Sequence, residues 1–254
     1  MATRTRRSQR RTEALSRERI VEAAVELLDT AGESGLTFRA LTERLATGPG
    51  AIYWHVANKD ELLAAATDAV VAAAVAVRAP AAEALPSSAP EEPEPPASPQ
   101  DGIRTVALGL FDAVDRHPWL ATQLATQLAR SPWGTVTPRI FESVGQRVRA
   151  LDVPESSWFT VTSALVHYVL GAAGQNAVNS ASARALPPGV DRTRFLDTVS
   201  TAWEELDPDE YPFTRAVADQ VRGHDDREQF LAGIDLVLAG ITATQHRESR
   251  TAQE

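Results

Sequence analysis

Two bulky rings and an imidazole, Tyr53, Trp54 and His55, follow Pro49 on a stretch that is barely two turns long if it is helical. If Ile52 and Val56 turn inward at helical spacing, Pro49, Gly50, Ala51, Tyr53, Trp54 and His55 face outward or sideways. Two large aromatics on so short an exposed helix are costly unless something covers them. The sugars, phosphates and thymine methyl groups of duplex DNA would give that cover. Packing between the first sixty residues and the rest of the chain would give it too. Charge favours the nucleic-acid reading. Arg4, Arg6, Arg7, Arg10 and Arg11 precede any acid and form a cationic arm suited to a polyphosphate, although basic starts are also common in solvated chain ends. Residues 1–60 hold ten Lys+Arg against eight Asp+Glu, whereas the remainder holds 15 against 26 and carries the whole excess behind the net charge of -9.

Covalent chemistry has few candidates. The sequence has no Gly-x-Ser-x-Gly elbow, no phosphate-loop lysine motif, no dinucleotide fingerprint and no zinc-type His-Glu pair. The histidines, His55, His117, His167, His224 and His246, are scattered, so no catalytic residue and no metal set is expected. With no cysteine, a disulfide scaffold, a thiolate nucleophile and a Cys-ligated metal are excluded, and the expected compartment is the cytoplasm. The most apolar stretch, Ala64 to Val77, is interrupted by Asp68 and is shorter than the roughly 20 residues a membrane span needs, so no membrane partner is expected. Two rival readings stay open: a helical enzyme acting on a small molecule, and a protein that coats DNA without sequence preference. A chain of net charge -9 with one basic end is poorly built for coating.

The elements behind these residues read as helices throughout. From Ser16, Ile20, Ala23, Ala24, Leu27, Leu28 and Ala31 recur in steps of three and four, and Gly32 and Gly35 end the run. Thr37 caps a second helix with Phe38, Leu41 and Leu45 inward; Gly48 and Pro49 break it and open the third. Asn58 with Glu61 forms a capping-box variant at the start of a fourth, whose expected inner stripe is Leu62, Leu63, Ala66, Ala69, Val70, Ala73 and Val77. Between Ala79 and Gly102 stand seven of the 16 prolines, which marks a linker. Helices are then expected at Ile103 to Arg116, Trp119 to Arg130, Thr137 to Leu151, Glu155 to Ser180, Arg192 to Leu206, Tyr211 to Val221 and Arg227 to His246, with no strand. The fold class is therefore all-α: an N-terminal three-helix helix-turn-helix domain and a larger helical domain, to which the family resemblance set out below assigns regulation and dimerisation. The expected divisions are a basic arm at 1–15, the helix-turn-helix at 16–60, a connecting helix at 61–78, the proline-rich linker at 79–102 and the larger helical part at 103–254.

The segments Gly35-Leu36-Thr37-Phe38-Arg39-Ala40-Leu41 and Ala51-Ile52-Tyr53-Trp54-His55-Val56-Ala57-Asn58-Lys59 resemble tetracycline-repressor (TetR) family regulators. A weaker echo lies at Phe230 to Asp235 and Leu236 to Gly240. The resemblance implies a homodimeric, ligand-responsive transcriptional repressor with two DNA-reading heads on a palindromic operator. It places Thr37, Arg39, Pro49, Gly50, Ala51, Tyr53, Trp54, His55 and Lys59 at the DNA. Arg39 corresponds to an arginine that reads a base; Tyr53, His55 and Lys59 to phosphate contacts; Trp54 to a residue packed on the DNA backbone. Pro49, Gly50 and Ala51 replace larger base-reading side chains, which implies a different operator.

For the regulatory part, Val166-His167-Tyr168-Val169-Leu170-Gly171 resembles the tetracycline-repressor helix that offers a histidine to the drug's magnesium. Gln175 stands where that repressor has a ligating glutamate, so a metal chelate is not expected and no cofactor is assigned. The expected effector contacts are His117, Trp119, Trp133, Phe141, Trp158, His167, Tyr168 and Gln175, with ordinary core packing the alternative for each aromatic and a core or dimer-interface role the alternative for His167. The long helices at Glu155 to Ser180 and Arg227 to His246 would form the dimer's four-helix bundle.

Overall fold

The computed structural model describes residues 15–76, 98–187 and 189–251, with side chains described to residue 243 in the last helix. The arginine arm, most of the proline-rich segment and Val77 lie outside the described residues. Eleven α-helices and one 3₁₀ turn make up the described chain, and no strand occurs among those residues. The chain divides into two compact units, Met1–Ala66 and Thr67–Glu254.

The first unit contains α1 (Arg17–Gly35), α2 (Phe38–Leu45), α3 (Pro49–Tyr53) and the start of α4 (Lys59–Val75). Each start has a local cause. Ser16 accepts from the Arg19 N–H at 3.3 Å and Thr37 from the Ala40 N–H at 3.1 Å, while Pro49 occupies the first turn of α3, where no intrahelical donor is needed. Asn58 Oδ1 accepts from the Glu61 N–H at 2.8 Å, and the Glu61 carboxylate reaches back to the Ala57 N–H, also at 2.8 Å. The capping reading thus holds, with Ala57 as the second donor. The α2–α3 turn closes through Ala46 in the left-handed region (φ 49°). Ile20, Ala24, Leu28, Leu41, Ile52 and Val56 are all buried, as the three-and-four spacing requires. Leu27 is only half-buried and Ala31 is exposed.

Helix α4 departs from the expected stripe. Leu62, Leu63, Ala66, Thr67, Val71 and Ala74 are buried, whereas Ala69 and Ala73 are exposed. A helix built largely of alanine presents nearly the same polarity in every direction, so side-chain type gives little warning of its rotation. The division between the units also falls within α4, not after residue 60.

In the second unit α5 (Pro99–Arg116), α6 (Trp119–Arg130), α7 (Val136–Arg149), α8 (Trp158–Arg184) and α11 (Asp226–Thr251) enclose one core, joined by Val71 and Ala74 of α4. Val136, Ile140, Val144 and Val148 of α7 recur every fourth residue and are buried against it. Burying each such side chain contributes about 1.5–3 kcal/mol before entropy is counted. Helix α8 has no acidic residue and no lysine or arginine before Arg184, and it sends Leu165, Val166, Val169, Ala173 and Ala177 inward. Helix α5 starts four residues before the expected Ile103. Ser98 and Asp101 form a reciprocal capping box with Pro99 in the first turn, so residues 99–102 are helix and not linker.

Two close approaches fix the helix spacing. A Cβ on Gly109 of α5 would overlap the backbone carbonyl of Ala74 in α4, and a Cβ on Gly233 of α11 would overlap the Tyr168 ring from α8. That ring stacks on Phe230, and its hydroxyl donates to the Phe230 carbonyl at 3.1 Å; burial raises the phenol pKa. Bidentate Arg139–Asp68 ties α7 to α4, and Arg104–Asp235 ties α5 to α11.

Helices α9 (Arg192–Glu204) and α10 (Pro212–Arg222) pair as a hairpin between α8 and α11. They close on Leu196, Ser200 and Ala218, with Ser200 Oγ donating to the Ala218 carbonyl at 2.7 Å. Arg222 joins Asp197, Glu204 and Asp219, and these contacts raise its pKa. No hairpin residue belongs to the core cluster, and Phe195 and Phe213 are exposed.

Candidate functional site

Helix α3 has only five residues and buries a single one, Ile52. Everything else on it is available. Gly48, Pro49 and Gly50 are exposed, and a Cβ on Gly48 or Gly50 would meet nothing within 4 Å. The leading turn of the helix therefore offers no side-chain donors for base edges. Its trailing end carries the rings. Trp54 caps α3 and is 89% exposed; Tyr53, 53% exposed, stacks on Phe38 of α2 with centroids 4.6 Å apart. The interior of the first unit thus does not enclose them. Phe38 was absent from the expected site, yet its place beside Thr37 on a two-turn helix is what orients Tyr53.

Arg39 stands out from α2, 88% exposed, held at its root by Glu43 one turn later at 3.0 Å. Such an exposed pair contributes little to stability, so Glu43 does not prevent the guanidinium from turning to another acceptor. Thr37 is occupied as the N-cap. Lys59 Nζ donates to the Glu33 carbonyl near the end of α1 at 2.6 Å, a favourable place for a cation at a helix C-terminus. The His55 carbonyl accepts from Arg17 at 2.6 Å, and the same guanidinium nitrogen reaches Glu61 at 2.9 Å. Arg44 pairs with Glu26. Within residues 15–60 five basic residues stand against seven acidic ones, so the helical head is itself mildly acidic and the positive balance of the first sixty residues comes from the arm.

In the second unit a cavity of about 460 Å³ is lined by Val114 of α5, Ala121, Leu124, Ala125, Leu128 and Ala129 of α6, and His167, Leu170 and Gly171 of α8. That volume suits a small organic molecule. Of the eight expected effector contacts only His167 lines it. His117 and Trp119 meet in a T-shaped arrangement with ring centroids 6.0 Å apart, and Trp133 is 83% exposed in the α6–α7 connection. Phe141 stacks with exposed Phe159, Trp158 donates to the Val153 carbonyl under Arg149, Tyr168 lies against Phe230, and Gln175 bonds Asn179. The cavity wall was missed because its residues are small and aliphatic. Its trace in the sequence is the Ala121, Leu124, Ala125, Leu128 and Ala129 run of α6, a helical stripe that side-chain chemistry alone does not separate from core. No cluster of three potential metal ligands occurs among the described residues, nor does any helix there have the length and apolarity to cross a membrane.

Comparison with known proteins now decides the family. Residues 20–66 match the bacterial regulatory proteins of the tetR family, and residues 92–245 match the tetracyclin repressor-like C-terminal domain. The chain belongs to the TetR family. It is thus a helix-turn-helix transcriptional regulator, and the expected fold class stands. Among solved structures, the transcriptional regulator SCO7222, a TetR from Streptomyces coelicolor, is similar at 70% identity with a TM-score of 0.77, over 90% of this chain and 98% of that one. An HTH-type transcriptional regulator of Saccharopolyspora erythraea is 30% identical over 65% of this chain, and the match spans 62% of that relative's length. The class C tetracycline repressor protein of Escherichia coli is 46% identical over 57 residues, which is 22% of this chain and 26% of that relative.

Proposed function

We propose that this TetR-family chain acts as a homodimeric repressor on a palindromic operator and is released from it by a small, largely apolar effector. The observation that carries the operator half is the exposure of Trp54: at the end of the five-residue helix α3 it presents its ring to solvent next to half-exposed Tyr53, and Arg39 on α2 is exposed as well. Rings in that position fit against sugar and phosphate, and a guanidinium one helix away can read guanine O6 and N7. With Pro49, Gly50 and Ala51 supplying little side chain, base selection falls mainly on Arg39 and on shape, and the arm adds the electrostatic attraction that the acidic head lacks. DNA as the partner places the action in the cytoplasm, and the reading involves no catalytic step.

Two copies are supported by α8 and α11. Ala164, His167, Gly171, Gln175 and Val178 form one exposed, uncharged stripe on α8, and Ala232, Leu236 and Ala239 a second on α11. Leu236 is 75% exposed, and small neighbours around it permit close packing of helices. His167 and Gly171 belong both to this stripe and to the cavity wall, so occupancy of the cavity can bias the arrangement of the pair. In a two-state scheme the effector favours a dimer whose heads no longer match successive major grooves, about 34–36 Å apart.

Selection from random duplex DNA tests the reading: it should return an inverted repeat. Arg39→Ala should give the same repeat with one position per half-site relaxed, at a cost of about 1–3 kcal/mol for the lost bidentate contact. Recovery of an unchanged motif would remove Arg39 from base reading, and recovery of no motif would leave non-specific binding as the function. Ala125→Phe should fill the cavity and abolish release by any effector found in a thermal-shift screen while operator affinity holds.

A further inference from the structure

We infer that Arg17 and Glu61 form a positioning clamp that holds the C-terminal end of the DNA-reading helix, so that operator affinity depends on a pair of residues that need not touch DNA. The geometry is specific. One nitrogen of Arg17 donates both to the His55 carbonyl, just past α3, at 2.6 Å and to Glu61 Oε1 at 2.9 Å. The other oxygen of Glu61 takes the Ala57 N–H at 2.8 Å, and its own N–H is held by Asn58. Residues 55, 57, 58 and 61 are thereby tied to the first turn of α1. The segment so fixed is the one that follows Tyr53 and Trp54, and α3 has too few residues to hold its own direction: it has no side-chain cap, and Ile52 is its only buried residue.

The two partners are both partly exposed, at 46% and 38%, so an isolated ion pair here would matter little. What distinguishes it is that both groups spend their hydrogen bonds on backbone around the α3–α4 junction. The Ala57 N–H first, and Arg17 after it, hold the Glu61 carboxyl below the ordinary carboxylate pKa, which keeps it charged in its role as acceptor. Arg17 also stands directly after the Ser16 cap, so the start of α1 is fixed to the segment that follows the reading helix.

This inference rests on the first unit reading DNA, and its test separates the two claims. The full-length chain is used to select an operator duplex, and Arg17→Ala, Arg17→Lys, Glu61→Gln and the double variant are titrated with that duplex across a salt series. A direct electrostatic role predicts opposite signs: losing the arginine weakens binding, and losing the carboxylate, a negative charge near DNA, strengthens it. A clamp predicts the same sign for both. We expect each single variant to weaken binding by about tenfold, the scale of a lost charged hydrogen bond. The double variant should be no worse than either single one, and Arg17→Lys should recover part of the loss. The slope of log affinity against log salt should stay that of the parent, since no phosphate contact is removed, whereas a direct contact would lower it by about 0.9. Tighter binding by Glu61→Gln, or a shallower slope for Arg17→Ala, would overturn the clamp. If Arg17→Ala destabilises the head, the sign of the Glu61→Gln effect still decides. A parent chain that selects no duplex would instead sink the DNA reading itself.

Discussion

Trp54→Ala is expected to weaken operator binding by about 2 kcal/mol, roughly thirtyfold, and to leave the thermal midpoint of the protein where it is in the parent. The size follows from what aromatic residues contribute when an interface strips them of water, since truncated tryptophans are among the costliest interface losses. The unchanged midpoint follows from exposure: a side chain 89% open to solvent contributes little to folding, and surface substitutions of this kind fall within about 0.5 kcal/mol of neutral. Fluorescence anisotropy with the selected duplex gives the first number and calorimetry the second. Tyr53→Ala is the informative companion, because Tyr53 also stacks on Phe38 and should lose both affinity and some stability. Parental affinity in Trp54→Ala would mean that the ring serves another surface.

Gly109→Val should be the most damaging single change in the second unit. The added Cβ points at the Ala74 carbonyl, backbone that cannot swing aside as a side-chain tip can, so α4 and α5 must separate or the helix must bend. Overpacking of this kind costs about 3 kcal/mol or more, which in a unit of this size lowers the thermal midpoint by about 6–12 °C. The control is Gly174→Ala, at a helix position where a Cβ meets nothing within 4 Å; its higher helix propensity should leave stability equal or slightly improved. If both variants melt together with the parent, the close approach of α4 and α5 is not a constraint. The functional readout is equally direct. Val71 and Ala74 carry α4 into the core of the second unit, while the same helix begins in the first, so loosening Gly109 should blunt the response to effector even at temperatures where the protein stays folded.

The sequence was most informative wherever polarity changed sharply along a helix. Ile20, Ala24 and Leu28, or Val136, Ile140, Val144 and Val148, declare their buried face because charged residues occupy the others. The expected range Trp119 to Arg130 coincides with α6, and Gly48 and Pro49 marked the start of α3. The failures share a cause as well. The rotation of α4 was misread because alanine is nearly indifferent to burial, and the cavity wall escaped notice because Ala121, Leu124 and Ala125 have no group that marks a ligand site. Aromatic residues drew attention as effector contacts, yet Trp158, Tyr168 and Phe141 are each engaged by a neighbour within the fold. The outward placement of Tyr53 and Trp54 was legible, since a helix as short as α3 cannot bury both rings. Contacts made to backbone acceptors, such as those of Arg17 and Lys59, leave no trace in residue type.

The α9–α10 hairpin has a consequence for how such a regulator changes over generations. Its interior is formed by Leu196, Ser200 and Ala218 beside an arginine network, and none of its residues belongs to the core cluster of the second unit. Mutations there are filtered by whatever the hairpin touches and not by the stability margin of the body. The segment between α8 and α11 can therefore lengthen, shorten or drift in surface chemistry while the head and the cavity stay under separate selection.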